Sequence, residues 1–306
     1  MKSLTLIGFL FLTIGCATRT PQTERLIKNR GDLPLAGHIK NIPHVIQKEN
    51  HCGPATLVMV LNHLKKNVSA EVLAHTMMIT NLKGTFQADM LLEARRQGML
   101  TFKISSLEQL LTEVSHGNPI IVFQNVGLES LPQWHYSVVT GYDLSVPQIY
   151  LHSGPDKNDS NDLRFFERTW LLGGKWALLV LPAGKLSSTA SEVEHVEAAS
   201  HLEELKFFQA AQVSYHSILK KWPQSLMALI GLSNVSYRLG QKKLALTYLK
   251  NAVALHPAAG IAWHNLASLQ GEMGQLKEAR LSSKKAIENV HEESRTQFTE
   301  NLKSYL

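Results

Sequence analysis

The alternation of apolar and polar positions changes period along the chain, and each change marks an element. From Pro54 to Leu64 the pattern predicts a helix anchored by Leu57, Val58, Val60 and Leu61. Met90 to Gln97 predicts a second, closed by Gly98 one residue beyond its end. "SLEQLLTEVSHG" predicts a third, with Ser106 and Gln109 in capping-box spacing and Gly117 past its end. The period then shortens. "PIIVF", from Pro119 to Phe123, reads as a buried strand, and "HYSVVTGYD" and "QIYLHS" read as two strands around the turn "LSVP". "WALLVLP", from Trp176 to Pro182, reads as a last strand. Helices followed by antiparallel strands predict an α+β domain over residues 42–182.

Residues 183–200 are small, polar and acidic, which predicts a linker or the frayed start of a helix. Beyond it the sequence repeats. Pro223 and Pro257, Ala228 and Ala262, Leu232 and Leu266, Gly240 and Gly274, Ala245 and Ala279, and Ala252 and Ala286 are each 34 residues apart. With small residues where two helices of a hairpin must approach, this stretch resembles the tetratricopeptide repeat family over roughly 201–290. Its first unit, His201 to Pro223, reads as half a repeat or a degenerate one. The resemblance implies an all-α domain over 201–306 that binds a protein partner on its concave face.

Composition adds limits. The chain has 306 residues, 44% hydrophobic and 18% charged, enough for two domains with real cores. The formal charge of +6 is spread without a basic block, so nucleic acid is not an expected partner. Residues 1–16 combine Lys2, an apolar run from Leu4 to Ile14, and Gly15-Cys16. The run is too short for a membrane span and suits the apolar part of a signal peptide. It resembles a bacterial lipoprotein signal, departing from it at Thr13. That resemblance implies that Cys16 is lipidated, that 17–41 is a tether, and, with Ala17 rather than Asp after the cysteine, an outer-membrane anchor facing the periplasm.

With Cys16 acylated, Cys52 is the only thiol left, which leaves no disulfide and no metal site of several Cys ligands. The other histidines form neither HExxH nor a helical ligand pair, and no cofactor is expected. A nucleophilic thiol must ionise near neutral pH although a free one titrates around 8.5, and a helix N-terminus favours the thiolate. Cys52 stands at such a place, with Gly53 expected at the cap and Pro54 at the first helical position. His135 begins an alternating strand 83 residues on, and could take the thiol proton and return it to a leaving amine. Gln47, five residues upstream, could offer its amide to an oxyanion together with the Cys52 N–H.

At Gln47, Cys52-Gly53 and His135-Tyr136, followed by Val138, Val139, Gly141, Tyr142 and Asp143, the chain resembles the C39 group of papain-like cysteine peptidases over roughly 42–182. The resemblance implies a papain-like α+β fold and peptide-bond hydrolysis. Members fused to ABC transporters cleave leader peptides after Gly-Gly; this chain has no Walker motif and resembles free-standing lipoproteins that join such a domain to tetratricopeptide repeats. One departure concerns the acid that orients the histidine. Its place, at the end of the next strand, holds Ser153. Counting across the "LSVP" hairpin instead puts Asp156 opposite His135, while Asp143 lies roughly 26 Å along the strand at 3.3 Å per residue. Ser153 and Asp156 therefore both stand as orienting candidates. A membrane-anchored cysteine peptidase is expected, with its protein substrate recruited by the repeats. The alternative is an inactive fold of the same kind serving as a binding or assembly module.

Overall fold

The computed structural model describes residues 20–46, 51–77, 84–290 and 292–305. Helix α1 (Pro21–Lys28) and strand β1 (Ala36–His38) come first, then helices α2 (Cys52–His63), α3 (Ala70–Met77) and α4 (Gln87–Arg96). Strand β2 (Met99–Ile104), helix α5 (Leu107–Ser115) and strands β3 (Ile120–Asn125), β4 (Trp134–Asp143), β5 (Gln148–Ser153) and β6 (Asp156–Asp162) follow. Helix α6 (Leu163–Leu172) and strand β7 (Ala177–Pro182) complete the α+β part.

All pairings are antiparallel, in the order β2-β7-β3-β4-β5-β6, with β1 alongside the far end of β4. Alternate residues of these strands feed two cores, as the period of a strand requires. Ile121, Tyr136, Val138, Leu178 and Val180 pack with α2, α3 and α4. Ile120, Val122, Val139, Leu179 and Leu181 pack with α1, α5 and α6. The sheet is thus covered on both faces. Gly141 marks the point where β1 crosses β4: a Cβ there would run into the His38 ring.

The segment expected as a tether is folded from Thr20 onward. A wholly buried carboxylate, Glu167 of α6, accepts the N–H groups of Gln22 (3.0 Å) and Thr23 (2.8 Å) at the start of α1. Those N–H groups have no partner within a helix, and a carboxylate there also complements the helix dipole. Gln22 in turn accepts the N–H of Leu107 at 2.8 Å, and Leu26 enters the core.

Helix α7 (Glu192–Glu204) lies inside the segment expected as a linker, opened by a capping box between Ser191 and Glu194. With α8 (Phe208–Lys221) it forms a complete hairpin, so the first repeat unit is whole and begins before His201. Helices α9 (Leu226–Arg238), α10 (Lys242–Leu255), α11 (Gly260–Glu272) and α12 (Leu276–Glu288) continue the array, and α13 (Glu292–Asn301) follows. The 34-residue spacing has its expected physical origin. Ala228, Ala245, Ala252, Ala262, Ala279 and Ala286 are fully buried between helices, and Gly240 and Gly274 take positive φ after α9 and α11. No helix among the described residues is long and apolar enough to cross a membrane.

The array packs directly against the α+β part. α7 lies along the edge strand β2, and Ala198, Leu202, Tyr215 and Ile218 share one core with Phe102 and Leu181. Buried Glu113 of α5 accepts Ser187 Oγ (2.6 Å), Thr189 N (2.9 Å), Thr189 Oγ1 (2.9 Å) and Asn118 Nδ2 (2.7 Å). The connection between the two parts is thereby pinned to the sheet layer.

Candidate active site

Cys52 is the first residue of α2, and His51 rather than Gly53 occupies the cap position. Pro54 falls in the first turn, where its missing N–H costs nothing because such groups have no intrahelical acceptor. The helix is held firmly: Leu57, Met59, Val60 and Leu61 are fully buried, and Thr56 Oγ1 bonds back to the carbonyls of Cys52 (2.9 Å) and Gly53 (2.8 Å). Gly53 is a close-packing position. A Cβ there would come within 2.8 Å of Thr85 Cβ and 3.3 Å of Met90 Sδ. The start of α4 therefore rests on the start of α2, with the half-buried thiol at the junction.

His135 is the second residue of β4, paired with Gln124 of β3. Its ring is held through Nε2, 3.1 Å from Ser153 Oγ, and Ser137 Oγ donates to the same Ser153 oxygen at 3.2 Å. Burial lowers the His135 pKa from its ordinary value and so favours the neutral ring, and Nδ1 is the nitrogen not engaged by Ser153. Asp156 stands elsewhere, exposed at the start of β6 and paired with Ser153. The hairpin count that put it opposite His135 holds near the turn, where Asp143 pairs with Gln148. It fails farther on because a bulge between Val139 and Gly141 shifts the register by one residue and because β5 ends at Ser153, so that Asp156 belongs to the next strand.

Cys52 and His135 are carried by elements in direct contact, α2 and β4, yet no hydrogen bond joins their side chains among the described residues. The thiol sits instead near Tyr136, the next residue on β4. That phenol donates to the Thr85 carbonyl at 3.1 Å. Its pKa is pushed far up, chiefly by burial and then by the charges of Cys52 and Asp89. An aromatic strip extends from there, with Phe123 stacked on half-exposed Trp134 (centroids 5.4 Å apart) and Trp176 edge-on to Tyr136 (5.7 Å). Gln47 and Cys16 lie outside the described residues.

Two members of this neighbourhood escaped the sequence. Ser137 was legible in principle, because it sits two residues from His135 and so shares its face of the strand. Asp89 was not: α4 begins at Gln87, three residues before the periodicity announces it, and only the packing of α4 on α2 brings Asp89 to the cysteine.

Residues 39–177 match the Peptidase_C39 like family. A protein described as a C39-like peptidase from Bacillus anthracis aligns at 17% identity over 50% of this chain and 99% of its own, with a TM-score of 0.43. The peptidase domain of Streptococcus ComA, a bi-functional ABC transporter involved in a quorum sensing pathway, aligns at 26% identity over 46% of this chain and 99% of its own, with a TM-score of 0.38. The Sgt2 TPR domain from Aspergillus fumigatus aligns at 20% identity over 38% of this chain and 79% of its own, with a TM-score of 0.34. No curated protein matches the chain. Residues 39–177 are thus similar to the Peptidase_C39 like family, and the helical pairs that follow carry the 34-residue spacing of tetratricopeptide repeats.

Proposed function

We propose that the protein is a cysteine peptidase anchored to the bacterial envelope through Cys16. The observation that carries the reading is the match of residues 39–177 to the Peptidase_C39 like family, with a cysteine opening the buried helix α2 and, on the adjoining strand β4, a histidine whose Nε2 is engaged by Ser153. In the proposed reaction the Cys52 proton passes to His135 Nδ1 and the sulfur attacks the scissile carbonyl carbon. The oxyanion is met by the Cys52 N–H and the Gln47 amide. His135 then returns the proton to the departing amine, leaving an acyl-cysteine. Water, deprotonated by the same nitrogen, releases the acid and restores the thiol. No hydrogen bond joins the thiol and the ring among the described residues, so the reaction requires one to form in the substrate complex. The repeats would present a protein substrate along the concave cavity of about 720 Å³ between α7, α9 and α11.

One feature favours the second reading, an inactive binding module: Ser153 cannot stabilise an imidazolium by charge as a carboxylate does. Both readings meet the same test. Residues 17–306 are incubated with fluorescent casein, beside Cys52→Ala and His135→Ala. Hydrolysis that falls at least about a thousandfold in both variants supports the peptidase. No hydrolysis by the parent, together with an iodoacetamide rate that His135→Ala leaves unchanged across pH, would leave the binding module. The anchor is tested separately, by detergent-phase partition of the full chain against Cys16→Ala.

A further inference from the structure

Beside Cys52 the structure holds two acceptors with nothing to accept. Thr85 Oγ1 and Asp89 Oδ2 are both shut off from solvent, and neither has a hydrogen-bond partner among the described residues. Their position is fixed from two sides. A Cβ on Gly53 would meet Thr85 and Met90, the residue after Asp89, and the charges of Asp89 and Cys52 both bear on the Tyr136 phenol. Tyr136 does not donate to either oxygen, because its one proton goes to the Thr85 carbonyl. Nor does the helix supply a donor: placement in the first turn of α4 favours a negative charge, but the Asp89 N–H is itself a donor, to Phe86 O. Buried polar atoms of folded proteins almost always find partners, and a carboxylate oxygen without a donor is among the costlier exceptions.

We propose that Asp89 and Thr85 form a subsite next to the nucleophile for a cationic group of the substrate, an ammonium or guanidinium. Such a group supplies several N–H donors and a positive charge, answering both oxygens and the carboxylate charge at once. Asp89 as a residue is only partly buried, although its Oδ2 is shut off from solvent. The cation can be a Lys or Arg side chain near the scissile bond, or the free amino end of the peptide. The proposal rests on Cys52 being the nucleophile, but it is testable without turnover.

The test uses the full chain carrying Cys16→Ser, so that Cys52 is the one thiol. Its rate with a cationic trimethylammonium-ethyl methanethiosulfonate is compared with that of the anionic sulfonatoethyl reagent. The net charge of +6 favours the anion, so a preference for the cation reports the local field. The expected result is a cation preference of about tenfold or more, abolished in Asp89→Asn and kept in Asp156→Asn. Equal rates in the parent, or a preference that Asp89→Asn leaves intact, overturn the proposal. Sequencing of casein digests separates the two sources. A Lys or Arg at a fixed position in every cleaved site indicates a side chain, and loss of cleavage on N-acetylation indicates the amino end. Cleavage indifferent to both overturns the subsite. If casein is not cleaved at all, the peptidase reading fails and the reagent ratio still decides the subsite.

Discussion

At the residue scale, the histidine is built to orient and not to hold charge. Ser153 fixes the ring through Nε2 but brings no negative charge, and burial alone pushes His135 toward its neutral form. Ser153→Asp would place a carboxylate against the ring, and an adjacent opposite charge commonly raises a histidine pKa by 1–3 units. The expected outcome is an iodoacetamide rate at pH 7 raised roughly tenfold, since a proton is held more readily on the imidazole. Ser153→Ala is expected to cost about tenfold in hydrolysis, because the ring loses its tautomer and orientation. An unchanged rate in Ser153→Asp would show that the ring does not receive the Cys52 proton. That Cys52 opens a helix and His135 stands at the start of a strand was legible in sequence, because local pattern reveals element starts. That Ser153 and not Asp156 contacts His135 was not, because β5 ends at Ser153 and Asp156 opens the next strand.

At the scale of elements, the site depends on two close approaches. Gly53→Ala forces a methyl into Thr85, and overpacking of this kind costs about 1–3 kcal/mol. Urea denaturation should show that loss, together with a slower Cys52 reaction as the start of α4 is pushed from α2. Helix α1 depends on one carboxylate. Glu167→Gln keeps the shape but replaces one acceptor with a donor facing backbone N–H groups, at a cost of about 1–3 kcal/mol. Amide exchange at residues 21–28 should accelerate with that loss, while α2 stays protected. Equal protection of α1 in parent and variant would contradict the proposed role. A polar, aperiodic sequence reads as a tether because its partners, Glu167 and the start of α5, stand far along the chain. Their contribution cannot be seen from local composition.

Across the whole molecule, the two parts share apolar surface and a network of buried groups, so they are expected to unfold in one transition. His195 carries much of the junction. Its Nε2 accepts the Ser187 N–H at 3.0 Å, its Nδ1 donates to the Ser191 carbonyl at 2.7 Å, and its ring lies between Phe102 and Trp222. Burial lowers its pKa, as it does for His135 and His152. A lowered value in the folded state means that the unfolded chain binds protons first. These residues contribute full stability above about pH 6.5, and the contribution is lost as pH falls through the folded values. The urea midpoint should therefore drop between pH 7.5 and 5, and less steeply in His195→Gln. An equal slope in that variant would remove His195 from the account.

The sequence alone determined what local periodicity can encode. The 34-residue spacing follows from small residues recurring where helices touch, and the turn at "LSVP", the glycine helix ends and the cysteine helix follow from backbone preferences acting over a few residues. Tertiary structure decided whatever depends on partners distant along the chain. It folded the presumed tether onto Glu167, completed the first repeat against β2, chose Ser153 to hold His135, and set Asp89 beside Cys52. The physical reason is common to all four. Each is a polar or close-packed contact whose value comes from burial, and burial exists only after the sheet and its covering helices have assembled.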